Sequence, residues 1–227
     1  SQHICDDRIG RALEKFYNGR HKDFFFQLAL RAIKIFRLDC SSIHQDTTSI
    51  TFSGKYDNWT AMELATYGHN KDHRPDLKQL VLGVTITRDG AVPLCHKVYS
   101  GNQSDDTLHV SNFLRVRKLL QMNDFIYVAD SKLATLSNLN TIQSYGGRFI
   151  SVMPRTWAED DEFRKRVEDG KISWRTLWVR KDGDDESRYD LAQGDYVAKG
   201  FKTLWIRSTS KQGQDAQSRQ ERVQKAI

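Results

Sequence analysis

Apolar and polar positions alternate along this chain with two periods, and the changes between them mark out its elements. Ile9, Leu13 and Phe16 recur at helical spacing until Gly19, with Asp6 placed to cap the helix. A second helix is expected from about Asp23 to Leu38. Its apolar stripe is Phe24, Phe25, Leu28, Ala32, Ile33 and Phe36, and its basic face is Arg31, Lys34 and Arg37. That basic face reads first as a solvated surface and second as a DNA-contacting one. Three extended segments follow: Ser41 to Phe52, Leu80 to Thr87, and Val92 to Tyr99, the last two joined by the turn Arg88-Asp89-Gly90. Leu108, Phe113, Val116, Leu119 and Leu120 predict a helix from Asp105 to about Met122, capped by Ser104 or Asp105. The apolar run Phe125 to Ala129 reads as a buried parallel strand. Leu133, Leu136, Leu139 and Ile142 predict another helix, closed at Gly146-Gly147, and Phe149 to Met153 a further strand.

The order β-β-β-α-β-α-β predicts an α/β fold, a mixed sheet covered by helices. The second strand reverses the first, the third returns, and a right-handed helical crossover makes the Phe125–Ala129 strand parallel to the first. Beyond Met153 the character changes. A helix around Glu159 to Glu168 precedes strands near Ile172 to Arg180, Tyr189 to Val197 and Phe201 to Arg207, with the acidic turn Asp182 to Glu186 among them. The expected organisation is a helical segment 1–40, a core 41–154, a β-rich insertion 155–210, and the start of a terminal helix 211–227. Ile172, Trp174 and Trp178 share a period of two, which favours packing over stacking on an unpaired base.

Charge narrows the partners. Among 227 residues, 35 are basic and 29 acidic, a formal net charge of +6, which leans toward a polyanion such as nucleic acid. Cys5, Cys40 and Cys95 are odd in number and widely spaced, so neither a disulfide framework nor a zinc cluster is expected, and a reducing cytoplasm fits. No apolar run reaches the roughly 18 residues of a membrane span, and no signal peptide is recognisable. A soluble protein is the expectation.

Two acids break the strand patterns. Asp46 stands in the middle of Ser41 to Phe52, and Asp130 ends Phe125 to Ala129. Ligands of open α/β sheets gather at the carboxyl ends of parallel strands, so the two carboxylates can meet there and hold divalent metal. Singly, Asp46 also fits an ion-paired edge acid, and Asp130 the cap of a helix beginning near Lys132.

These residues lie in four segments: His44-x-Asp46-Thr47-Thr48-Ser49, Tyr67 through Gln79, Gly101-Asn102-x-Ser104-Asp105, and Val128-Ala129-Asp130-Ser131. Together they resemble the core of DDE transposases from bacterial and archaeal insertion sequences, in the retroviral-integrase superfamily. The resemblance implies a ribonuclease H-like fold, transposon-end and target double-stranded DNA as partners, and metal-dependent strand cleavage and transfer. It implies two Mg2+ or Mn2+ ions, with Asp46 bridging both and Asp130 holding one. It also implies a homodimer and a cytoplasmic, nucleoid-associated location. The basic residues His69, Lys71, His73, Arg74, Lys78 and Arg155 become candidate DNA contacts, and Asn102 and Asp105 candidate supports of the metal site. Pro75 argues against reading His69 and His73 as a helical zinc pair.

The family pattern includes a third acid, a helical glutamate preceded by tyrosine and arginine. Glu221 has no such tyrosine before it, and Arg222 follows it. The expectation is that the glutamate lies beyond this chain, with Glu221 or Asp105 as the less favoured substitutes and the fragment itself inactive. A ribonuclease H-like nuclease that hydrolyses without joining, and a DNA-binding remnant without catalysis, are the alternatives.

Overall fold

The computed structural model describes residues 5–19, 21–54, 64–68, 74–182 and 185–226, which form two compact units, Ser1–Pro154 and Arg155–Ile227. The first unit opens with helices α1 (Asp6–Asn18) and α2 (His21–Phe36). Cys5 occupies the cap position of α1, and Asp6 instead lies inside the first turn, where its charge favours the positive end of the helix dipole.

Strands β1 (Ser42–Phe52), β2 (Thr66–Tyr67), β3 (Lys78–Thr87) and β4 (Pro93–Ser100) follow. Then come a 3-10 turn (Asp105–Thr107), helix α3 (His109–Leu120), strand β5 (Ile126–Ala129), helix α4 (Leu136–Ser144) and strand β6 (Arg148–Ser151). The expected helix from Asp105 is thus split. Leu108 is the cap residue of α3, and neither it nor Ser104 caps through its side chain. α4 begins after Thr135, whose hydroxyl accepts the Asn138 N–H at 3.2 Å, so Asp130 is not its cap.

The sheet runs β4-β3-β1-β5-β6, with β2 beside the start of β3. β1 pairs antiparallel with β3, β3 with β4, and β5 lies parallel to both β1 and β6. This is the ribonuclease H-like α/β arrangement. Under one face Phe113, Val116, Phe125, Tyr127, Leu133 and Ile142 are almost wholly buried. Phe113 stands edge-on to Tyr127 with centroids 5.9 Å apart and lies 5.4 Å from Phe125. Burial of that many large side chains is the main force joining α3 and α4 to the sheet.

The second unit contains α5 (Ala158–Glu168), β7 (Trp174–Asp182), β8 (Asp185–Ala192), β9 (Tyr196–Ala198), β10 (Phe201–Thr203), β11 (Ile206–Ser208) and α6 (Thr209–Ala226). Phe163, Ile172 and Ala192 form its core, with Trp174, Tyr196 and Trp205 packed against them. A register shift between Thr176 and Trp178 breaks the period of two. Trp174 therefore packs inward, whereas Trp178 is 56% exposed and stacks on Tyr189 at 5.2 Å. No described helix is long and apolar enough to cross a membrane.

Candidate metal and phosphate site on the open face of the sheet

Strand register decides where the two acids go. β5 pairs Ile126, Tyr127 and Val128 with Ser42, Ile43 and His44, and each partner lies 84 positions further along the chain. The same step, carried two residues past the last of these pairs, matches Asp46 with Asp130 just beyond the end of β5. β5 ends at Ala129 while β1 continues to Phe52, so Asp130 follows the tip of one strand and Asp46 lies within the other. Neighbouring strands are about 4.8 Å apart, and parallel partners point to the same face.

That face is identified by burial. Ile43, Gln45, Tyr127 and Ala129 point into the α3–α4 layer and are at most 8% exposed. Asp46 and Asp130, one residue out of phase with them, are exposed on the opposite face. Val84 is the antiparallel partner of Asp46, and His96 is the partner of Val84. On this face α2 reaches the sheet at β4, where Phe25 meets the His96 ring edge-on at 4.7 Å. Ile50 and Ile150 remain 43% and 57% exposed on the same side.

Both carboxylates are held by backbone rather than by cations. Asp46 Oδ1 accepts the Thr47 N–H at 2.7 Å, and Asp130 Oδ1 accepts the Lys132 N–H at 3.0 Å. The Asp130 carbonyl also accepts the Leu133 N–H at 3.1 Å and the Ser151 hydroxyl at 2.6 Å. Among the described residues neither acid has a lysine or arginine partner. Two adjacent, anchored, unneutralised carboxylates offer hard oxygen donors, the donor type that Mg2+ takes from a protein when phosphate and water fill its remaining positions. No set of three or more His, Cys, Asp or Glu among the described residues is arranged around a common ion.

The other sequence candidates belong to several segments of the two units. Lys78 shares the sheet face of Asp46, yet stands six residues along β3 from Val84, about 20 Å away at the rise of a strand. Arg74 closes its guanidinium on Asp76, with Nε at 2.8 Å and a terminal nitrogen at 2.7 Å from the two carboxylate oxygens. This pair keeps the Asp76 carboxyl below its ordinary range, chiefly through the hydrogen bond. Arg155 is exposed in the second unit, where its charge acts on Asp215. His69, Lys71 and His73 lie outside the described residues. Glu221 belongs to α6 of the second unit and accepts the Gln217 amide at 3.1 Å.

Asn102 serves its own turn. Its N–H donates to Thr66 Oγ1 at 2.9 Å and its Oδ1 accepts from Ser100 at 2.8 Å. Gly101 beside it is required by contact: a Cβ there would stand 2.0 Å from the Gln79 carbonyl oxygen and 2.6 Å from that of Thr66. Asp105 lies in the 3-10 turn before α3. Together with Asp106 and Asp130 it acts electrostatically on His109, a residue 3% exposed at the start of α3.

His109 is absent from the sequence candidates, although a signal for it existed. His109, Asn112, Phe113, Val116 and Leu119 are the buried face of α3, so a histidine and an asparagine interrupt an otherwise apolar stripe. His44 was likewise passed over. It lies two residues before Asp46 on the same face, with its Nε2 3.4 Å from the Ser42 hydroxyl.

No family model and no curated protein matches this chain. Among solved structures it is similar to a piggyBac transposase synaptic complex with hairpin DNA, at 14% identity and TM-score 0.42, over 74% of this chain and 33% of that one. It is also similar to a Mos1 transposase paired-end complex with the left transposon end, at 14% identity and TM-score 0.34, over 67% of this chain and 47% of that one. A third similarity is to Ciona intestinalis endonuclease V with a 24mer DNA containing inosine, at 9% identity and TM-score 0.27, over 89% and 82% of the two chains. The chain spans about a third of the piggyBac chain and about half of the Mos1 chain.

Proposed function

We propose that this chain is the catalytic core of a DNA-processing phosphodiester-transfer enzyme, a transposase of the DDE type acting on double-stranded transposon ends and target DNA. The observation that carries the reading is the parallel register of β1 and β5, which, carried two residues on, matches Asp130 with Asp46 on an exposed sheet face, with no lysine or arginine partner for either among the described residues. Two like charges side by side destabilise the free fold slightly, and a divalent cation with a phosphate reverses that penalty. Asp46 and Asp130 would hold Mg2+ or Mn2+, which when bound supplies an acidified water or hydroxyl and neutralises phosphate charge.

The protein's own part is positioning. The Thr47 and Lys132 N–H groups fix the carboxylate rotamers, and Ser151 fixes the main chain at Asp130. The open face admits a DNA strand, and the net charge of +6 favours its approach. Transposon ends held by two copies, in the cytoplasm at the nucleoid, complete this proposal.

DNA binding without cleavage is the second reading. It draws on the absence of a third carboxylate beside the pair among the described residues. Both readings are tested by Mn2+ binding, followed through water proton relaxation, and by nicking of supercoiled DNA. The transposase-core reading expects Asp46→Asn or Asp130→Asn to weaken Mn2+ binding at least about a hundredfold, more than loss of a supporting contact costs, with DNA retention unchanged. Equal Mn2+ affinity in parent and variants removes the metal site. Mn2+ binding without nicking favours the second reading.

A further inference from the structure

Helix α1 buries none of its 13 residues, although its sequence is that of a packing helix. Ile9, Leu13 and Phe16 stand at i, i+4 and i+7 and so share one side, where they are 47%, 62% and 50% exposed. A helix of this length is marginal in water by itself, and most helical stability in proteins comes from covering the apolar side. Helix α2 carries a second line of the same kind. Toward the sheet it places Phe25, against His96, and Ala29, which is 3% exposed. Phe24, Leu28, Arg31 and Ile35 stand at i, i+4, i+7 and i+11 on another side, and the three apolar members are 57%, 52% and 70% exposed.

The two lines meet where the helices join, with Phe16 edge-on to Phe24 and centroids 5.7 Å apart. The chain's own α1 does not cover the α2 line, since Leu28 and Ile35 stay open beyond that contact. Six large side chains, each about half exposed or more, present apolar surface on the order of 600 Å2, at about 200 Å2 for each whole side chain. That is at the upper end of what a monomer leaves open. It also matches the apolar share of one side of a standard homodimer interface, about 65% of about 800 Å2.

Charge selects the occupant. From Phe24 to Phe36, α2 holds Arg31 and Lys34 and no acid. On α1, at about 3.6 residues per turn, Asp6, Asp7 and Glu14 fall on one flank of the apolar line and Arg8, Arg11 and Lys15 on the other. An acid-flanked apolar helix is the complement of a cationic apolar helix, and this chain carries one of each. A two-fold operation therefore forms the same contact twice, α1 on α2 and α2 on α1.

We propose that the α1–α2 surface is a docking site for a second copy of this chain, α1 of each copy packing along α2 of the other with its acidic flank toward the Arg31–Lys34 side. This deepens the two-copy arrangement proposed above and rests on that reading for its purpose, while the contact itself needs neither metal nor DNA.

The test is sedimentation velocity of the full chain, without metal or DNA, on the parent and on Leu13→Asp and Leu28→Asp, both at exposed helix positions and checked for parent-like circular dichroism. The parent is expected to sediment as a dimer at micromolar concentration. Each substitution occurs twice in a symmetric dimer, so either variant alone is expected to raise the dissociation constant at least about a hundredfold. Mixed together, the two variants are expected to re-associate, because the mixed pair joins one intact α1 to one intact α2. Arg31→Glu is expected to weaken the dimer about tenfold, with the difference shrinking at high salt. A monomeric parent, a dimer that both aspartate variants leave intact, or a mixture that stays monomeric overturns the proposal. Mn2+ binding separates this outcome from the catalytic reading: a monomeric parent that binds Mn2+ sinks the docking site alone, and a dimeric parent that fails to bind Mn2+ removes the metal site while the docking site stands.

Discussion

The two units each place acids on strands, and they treat them in opposite ways. In the second unit Asp190 is 2% exposed and surrounded: Arg207 Nε lies 2.9 Å from one oxygen, while Arg188 Nε at 3.2 Å and the Thr176 hydroxyl at 3.0 Å approach the other. Arg207 also spreads over the Trp174 ring at 4.4 Å. Burial alone would push the Asp190 carboxyl up, but the Arg207 and Thr176 hydrogen bonds and the Arg188 charge outweigh it and hold it below the ordinary value. In the first unit Asp46 and Asp130 are exposed on one sheet face and, among the described residues, have no lysine or arginine partner. A neutralised acid at a strand position is architecture. An acid pair left open beside one another is a request for a ligand, because the fold alone gains nothing from it.

The comparison can be broken most severely at the core of the first unit. Phe113→Ala is expected to cost about 3–5 kcal/mol, since the ring is 1% exposed and packs on Phe125 and Tyr127. Denaturant unfolding followed separately in the two units should show that loss in the first alone.

Asp190→Ala comes next. It leaves Arg188 and Arg207 facing each other, so the second unit should melt earlier while Mn2+ binding at the first is untouched.

Acid sharpens the same contrast. The depressed Asp190 carboxyl contributes stability that is present above the ordinary carboxylate range and disappears as pH falls through that range toward its lowered pKa. A melting series on the isolated thermal transition of the second unit should decline there, and the decline should vanish in Asp190→Asn.

A smaller effect of opposite sign is expected at the open pair. Asp46→Asn removes a like-charge contact across about 5 Å and should stabilise the metal-free chain by less than about 1 kcal/mol, while abolishing Mn2+ binding. A destabilised Asp46→Asn chain would mean that the acid is part of the architecture after all.

The smallest change is expected at Trp178→Ala. With more than half of its surface exposed, Trp178 should alter stability by only about 0.5 kcal/mol, and calorimetry of the second unit would read it.

Much of this contrast was legible in residue patterns. The apolar run ending at Asp130 and the β-prone stretch through Asp46 both became strands, because period-two burial needs only local sequence. The period failed at Trp178, where a bulge re-aims the side chain, and a bulge leaves no mark in alternation itself. It failed again at Asp105, where a 3-10 turn precedes α3 and the sequence reads as one helix. For the basic candidates composition shows charge and not pairing: Asp76, two residues from Arg74, forms an exposed ion pair with it.

By itself the sequence determined the order of strands and helices, the positions of both acids and the positive balance of the chain. Only the tertiary structure decided that β5 stops where β1 continues and that the parallel register, His44 against Val128, carries Asp46 and Asp130 to the same face of the sheet. The physical reason is reach: side-chain periodicity acts over a few residues, while hydrogen-bonded register couples strands 84 positions apart and selects which face each carboxylate takes.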